Sequence, residues 1–160
     1  MTVKFHRVSI PKSNAVTTAG SGEMGEVRVK VKLTNNVDKI LSARGQLPAE
    51  QIRSYVADAL VDTGAVCTTI PRFLFDHLGL MVVGHRMAEY ADGSSEIVDV
   101  TEPVCIEIEG RGTSDDPLVL GNEVLIGQTV LEKTDLLVDC ANRRLIGNPA
   151  HPDQPVLKVK

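Results

Sequence analysis

Asp62 closes a strand-like stretch, residues 55–61, that grows more apolar toward its end at Ala59-Leu60-Val61, and Thr63, Gly64 and Ala65 follow it directly. A carboxylate at the end of an apolar strand is costly to bury without partners. Gly64 permits a tight turn and lets another molecule approach closely. Thr63 adds a hydroxyl that can brace the turn. The plain role of a lone Asp here is to start a turn. The apolar support before it and the glycine behind it favour a chemical role, an acid presented rigidly to take a proton from water. Two such carboxylates facing each other divide the work. One activates water while the other protonates the departing group.

The chain holds one turn of this kind. Residues 136–140, Leu-Leu-Val-Asp-Cys, echo its apolar run and acid, but Ala141 and Asn142 follow where a glycine would be needed. Asp139 therefore reads as a strand-end acid before a turn. If two acids are required, the second must come from another copy of the chain, across a two-fold axis.

Other reactive side chains carry less. Cys67 with His77 or His85 would make a thiol nucleophile and base, but Cys67 lies in an apolar β-type run with no orienting Asn or Asp evident. Asp76, His77 and His85 lack the spacing of paired metal ligands, so no metal is expected. The glycines near residues 20–26 lack the Lys-Ser/Thr ending of a phosphate-binding loop. Lys30 and Lys32 alternate with valines as the wet face of a strand, and Asp115-Asp116 reads as a surface turn.

The elements that must hold Asp62 are mostly strands. Val27, Val29, Val31 and Leu33 alternate with Arg28, Lys30 and Lys32, the period of a half-buried strand. Residues 34–39 supply turn formers. Residues 40–53 form a connection with a short helical turn or plain loop after Pro48. Residues 71–80 carry helix signals, with Pro71 at the start and Gly79 as terminator. Residues 81–110 read as a long hairpin whose tip is Ala91-Asp92-Gly93-Ser94, followed by the alternating strand 104–109. Residues 111–116 read as turn or loop. Two short apolar strands lie in 117–127, a helical turn or two in 128–133, and a last strand pair in 134–147.

The chain has 160 residues and a net charge of −4, which fits one domain and disfavours a nucleic-acid surface. Aromatics are 3% with no Trp, so stacking platforms for bases are scarce. Three widely spaced cysteines, Cys67, Cys105 and Cys140, argue against a disulfide framework. No apolar stretch reaches membrane-spanning length, and the N-terminus lacks the apolar core of a signal peptide, so a cytoplasmic setting is expected. The expected organisation is a flexible lead-in over 1–25, a folded domain over 26–147 and an extended tail over 148–160, whose Pro149, Pro152 and Pro155 disfavour regular structure.

Three stretches together resemble the retropepsin-like aspartic proteases, in the small single-domain bacterial form. Residues 59–65, Ala-Leu-Val-Asp-Thr-Gly-Ala, resemble the active-site signature. Residues 89–100, containing Tyr-Ala-Asp-Gly, stand where that family has its flap hairpin. Residues 123–145 resemble the second landmark, an apolar-apolar-Gly strand, a short helix and a closing strand pair. The resemblance covers roughly residues 26–146. It implies an all-β fold, a closed barrel or sandwich with a flap hairpin and one or two short helices. Asp62 matches the catalytic aspartate, Thr63 the residue that ties two active-site loops across a homodimer, Gly64 the turn and Ala65 the small residue lining the cleft. Ala91, Asp92, Gly93 and Ser94 match the flap tip over a peptide. Leu125, Ile126 and Gly127 match the strand packed beside the catalytic turn. The implied reaction is peptide hydrolysis by an activated water, without cofactor. The same fold could instead serve as a non-catalytic peptide-binding or dimerisation module. The chain departs from the pattern at Val66-Cys67-Thr68, at Gln128 and in the long connection 35–53.

Overall fold

The computed structural model describes residues 25–160. The expected lead-in, with the glycines at 20–22, lies outside the described residues except for Gly25.

Strand β1 (Val27–Asn35) is the spine. Its alternating pattern puts Val27, Val29, Val31 and Leu33 inside and Arg28, Lys30 and Lys32 outside. It pairs antiparallel with β2 (Ser54–Val61) on one side and β6 (Val104–Ile108) on the other. Cross-strand neighbours on the wet face are opposite in charge, Lys30 with Asp58 and Lys32 with Glu107, each at 3.9 Å.

Between β1 and β2 the chain forms helix α1 (Asn36–Ala43) and a 3-10 turn at Ala49–Gln51. Asn35 caps α1, its side chain accepting from the Asp38 amide at 3.1 Å. The turn expected at residues 34–39 is thus the end of β1 and the start of a helix, because Asn35 serves as cap. Asp38 is buried and takes both a side-chain fork and the backbone amide of Arg53, at 2.8–3.0 Å.

After β2 come β3 (Thr69–Ile70) and helix α2 (Arg72–His77). Gly79 ends α2 at φ +61°, and a side chain there would strike the Arg53 guanidinium at 1.7 Å. The hairpin β4 (Val82–Glu89) and β5 (Ser95–Thr101) comes next. β6 then turns through Glu109 and Gly110, both at positive φ, into β7 (Arg111–Asp115). Such a two-residue turn matches the twist of its strands. Residues 111–115 are therefore a strand, not the expected loop. β7 lies at the end of the sheet and is half exposed, so it shows no hydrophobic alternation.

The short strands β8 (Leu118–Val119) and β9 (Leu125–Ile126) precede helix α3 (Gln128–Thr134). The hairpin β10 (Leu136–Asp139) and β11 (Arg144–Gly147) completes the domain. Nine strands form one sheet in the order β4-β5-β8-β3-β9-β2-β1-β6-β7. The fold is mostly β, with three short helices among the described residues.

The core joins β1, β2 and β6 to α2, α3 and β10–β11 through Leu33, Ile70, Leu74, Ile106, Ile126 and Val130, all essentially inaccessible. A smaller cluster, Ala88, Val98, Val100 and Leu118, lies along the β4–β5 hairpin where β8 joins it, with Cys67 and Leu120 packed against it.

Candidate functional site

β2 delivers Asp62 from the middle of the sheet. Its last residues run parallel to β9, Leu60 beside Leu125 and Val61 beside Ile126. The Leu60 and Asp62 amides donate to the carbonyls of Val124 and Ile126, each at 2.9 Å. β1 holds the other edge, Val27 opposite Val61. The acid thus leaves a strand fixed on both sides.

The chain then turns at once. The Ala65 amide donates to the Asp62 carbonyl at 3.2 Å, and the Gly64 amide donates to Asp62 Oδ1 at 2.8 Å. A Cβ on Gly64 would stand 3.1 Å from Oδ1, close enough that the carboxylate would have to give way. Asp62 is half-buried, Thr63 and Gly64 are exposed, and Ala65 is fully buried. Among the described residues the Asp62 carboxylate takes this one hydrogen bond, and the Thr63 hydroxyl takes none. Its own chain therefore leaves the Asp62 carboxylate open to solvent on one side.

The turn rests on α3. The first amides of a helix lack partners within it. Here Gln128 donates to Ala65 O at 2.7 Å and Thr129 to Val66 O at 3.2 Å. A Cβ on Gly127 would meet the carbonyl oxygens of Ala65, Val66 and Cys67 at 2.8 Å. The structure therefore joins Asp62–Ala65 with Leu125, Ile126 and Gly127 in one backbone-bonded unit.

The loop is anchored again at Thr68. Its buried hydroxyl donates to Asp115 Oδ2 at 2.7 Å, and its carbonyl accepts from the Leu118 amide at 3.0 Å. Asp115, expected in a surface turn, is half-buried and holds the loop from β7. Nothing in the sequence pattern marks this pair, because 47 residues separate its members.

The tip of the β4–β5 hairpin is closed on itself. The Tyr90 amide donates to Ser94 O and the Gly93 amide to Tyr90 O, at 2.8 and 2.9 Å. Asp92 Oδ1 accepts from the Ser94 amide at 2.9 Å, and Gly93 adopts φ +83°. Ala91, Asp92, Gly93 and Ser94 are all exposed. The Tyr90 hydroxyl donates to Glu96, and burial together with that carboxylate pushes its pKa up to about 12. The hairpin meets the loop after Asp62 through this cluster, where Cys67 packs against Ala88, Val98, Val100 and Leu118.

The rival chemistries find no shared site. Burial, then the Asp115 charge, pushes the Cys67 thiol up, away from a reactive thiolate. His77 packs edge-on to Tyr55, and His85 pairs with Asp99 at 3.1 Å. Among the described residues no three His, Cys, Asp or Glu side chains gather as metal ligands, and no helix is long and apolar enough to cross a membrane.

Two other acids show what a committed carboxylate looks like. Asp139 accepts from the Asn142 amide and side chain and from Arg144 Nε, bonds that hold its pKa below the usual range, Asn142 foremost. Asp135 ends α3 at φ +53° and gathers the tail: Asn148 Nδ2 at 3.0 Å, His151 Nδ1 at 2.5 Å and the Val156 amide at 3.1 Å. These partners, Asn148 first, draw its pKa down to about 2. Sequence reasoning missed the Asp135 knot.

No family model matches the chain, and no curated protein matches it. Among solved structures it is similar to the protease of simian foamy virus (mac), at 16% identity over 65% of this chain and 90% of that one, with a TM-score of 0.41. It is similar to the retroviral protease-like domain of Ddi1 from Leishmania major, at 15% identity over 82% and 95%, with a TM-score of 0.44. It is also similar to a retropepsin-like aspartic protease from Rickettsia conorii, at 15% identity over 77% and 91%, with a TM-score of 0.42.

Proposed function

We propose that the chain is an aspartic endopeptidase that works as a homodimer, each copy contributing Asp62 to one site. The observation that carries this reading is the contrast among strand-end and helix-end acids. Asp135 and Asp139 are consumed by structural hydrogen bonds, whereas Asp62 spends one oxygen on Gly64 and keeps the other uncommitted. The resemblance of residues 59–65, 89–100 and 123–145 to retropepsin-like sequences supports it.

In the proposed reaction an ionised Asp62 takes a proton as water oxygen bonds to the peptide carbonyl carbon. The partner copy's carboxyl gives its proton to the carbonyl oxygen. The tetrahedral species collapses, the C–N bond breaks, and the nitrogen leaves with a proton. The β4–β5 hairpin would cover an extended peptide, its tip backbone bonding the substrate and then withdrawing.

The test is Asp62→Asn against a peptide library, with mass in solution measured on the same sample. Cleavage is expected to fall about a thousandfold or more, with fold and dimer retained. Undiminished cleavage by Asp62→Asn sinks the proposal. Peptide binding without turnover in the unaltered protein would instead favour a binding module.

A further inference from the structure

The two faces of the β4–β5 hairpin differ. Successive residues of a strand point to opposite faces, and residues directly opposite across a pair share one. Met87 lies opposite Ile97, and both are exposed, at 52% and 69%. On the other face Gly84 lies opposite Val100, Arg86 opposite Val98 and Ala88 opposite Glu96. There Ala88, Val98 and Val100 are buried with Leu118, and Cys67 and Leu120 pack against them. Cys67 belongs to the loop that leaves Asp62. The face of Arg86, Ala88 and Glu96 is therefore the one turned toward that loop, and the face of Met87 and Ile97 is turned away.

On this inner face β5 changes character. Val100 and Val98 are buried, and Glu96, next along the same face, is exposed. Its carboxylate has a fixed place, because the half-buried Tyr90 donates its hydroxyl to it. With the Tyr90 pKa raised to about 12, that hydroxyl stays a donor through neutral pH.

Other acids on paired strands are met by a cation. Asp99 has Arg72 at 2.9 Å and His85 at 3.1 Å, and Asp139 has Arg144 at 3.1 Å. Asp58 and Glu107 face Lys30 and Lys32. Glu96 differs: among the described residues it has the Tyr90 hydroxyl and no ion pair. Arg86, its diagonal neighbour, donates to the His85 carbonyl at 2.9 Å. A carboxylate held in place without a counter-charge selects for a partner that brings one.

We infer that Glu96 is a specificity-determining residue: steadied by the Tyr90 hydroxyl, it receives a lysine or arginine side chain of an extended peptide lying between the hairpin and Asp62. The peptide must pass under this face, so the inference rests on the proposed aspartic-protease role and narrows its substrates to peptides with a basic residue. The net charge of −4 also draws basic segments, but such a field acts on a charge anywhere in the peptide. Glu96 acts at one register position, because side chains of an extended peptide alternate between faces. In the proposed homodimer the two-fold axis repeats that position once on the other side of the cleaved bond.

The experiment uses peptides identical except for one residue, Lys, Gln or Glu, moved through each position about the cleaved bond. The kcat/KM of each is measured for the unaltered chain, Glu96→Gln and Glu96→Lys. Glu96 is exposed, so both variants are expected to fold. The unaltered chain should favour Lys over Glu about fivefold or more at one position on each side of the bond, and less so at high salt. Glu96→Gln should bring that ratio close to one, and Glu96→Lys should reverse it. A structural defect lowers all peptides alike and reverses nothing. The same peptides, labelled and bound to Asp62→Asn with and without Glu96→Lys, read the preference by fluorescence polarisation without turnover. A Lys preference that is absent, equal at every position or unmoved by Glu96→Lys overturns the inference. With cleavage abolished by Asp62→Asn, that result leaves the aspartic-protease reading standing. A binding preference that reverses with Glu96→Lys, in a chain that cleaves nothing, supports the role of Glu96 and sinks the protease reading. A chain that neither cleaves nor binds any of the peptides sinks both.

Discussion

Gly127 and Ala65 meet backbone to backbone: a Cβ on Gly127 would stand 2.8 Å from the Ala65 carbonyl oxygen, and equally close to those of Val66 and Cys67. The next amide, Gln128, donates to that same Ala65 oxygen at 2.7 Å. The φ of Gly127 is −91°, which any residue can adopt, so the requirement is for space and not for an unusual backbone. Gly127→Ala must push α3 away from the Asp62 turn. Overpacking of this kind costs about 1–3 kcal/mol. A lowered urea midpoint is expected, with cleavage reduced further because the turn itself moves. Gly112→Ala is the control, since its nearest atom would be 3.9 Å away.

Gly64→Ala separates geometry at the acid from stability of the fold. The new Cβ would press on Asp62 Oδ1 at 3.1 Å, while Gly64 itself is exposed. The carboxylate must turn and weaken its bond from the Gly64 amide. Surface substitutions usually stay within about 0.5 kcal/mol. The unfolding midpoint is therefore expected to hold while kcat/KM falls about tenfold or more, since a small misplacement of a reacting group is costly. Equal loss of stability and activity would show that the turn, and not the acid, was damaged.

Sequence patterns carry what is periodic or local. β1 is legible because one face is wet and the other buried, so Val27, Val29 and Val31 alternate with charge. The Asp62 turn is legible because its partners are adjacent residues. β7 is not, because it lies at the sheet's end and is never deeply buried. α1 was hidden because Asn35-Asn36 reads as a turn as readily as a cap. The Asp135 knot joins residues 13 to 21 positions apart through side chains that obey no period.

Thr68 shows how much of the site depends on such a hidden pair. Its hydroxyl is buried and donates to Asp115 at 2.7 Å. Thr68→Val keeps the shape but leaves a half-buried carboxylate one bond short. The loss is expected at about 1–3 kcal/mol. Asp115→Asn in the same background should recover part of it, because the charge left without its donor is gone. A double-mutant cycle in urea measures the coupling, and additive losses would mean that the pair does not anchor the loop.

Asp38 gives a pH dependence of known sign. The Arg53 side-chain bond, opposed by desolvation and joined by the Arg53 amide, holds its carboxyl below the ordinary 3.8. The folded state thus binds this proton more weakly than the unfolded chain does. The stabilisation is fully present above 3.8 and is lost as pH falls through the lower folded value. Asp38→Asn removes the charge but keeps the size and an accepting oxygen for the Arg53 amide. Urea unfolding of the two proteins should differ most at neutral pH. The gap should stay level down to about pH 5 and narrow from there through pH 4 and below, as protonation removes the charge from the unaltered chain as well. A gap that stays constant into acid would assign the Asp38 contribution to packing and capping of α1 and not to its ion pair with Arg53.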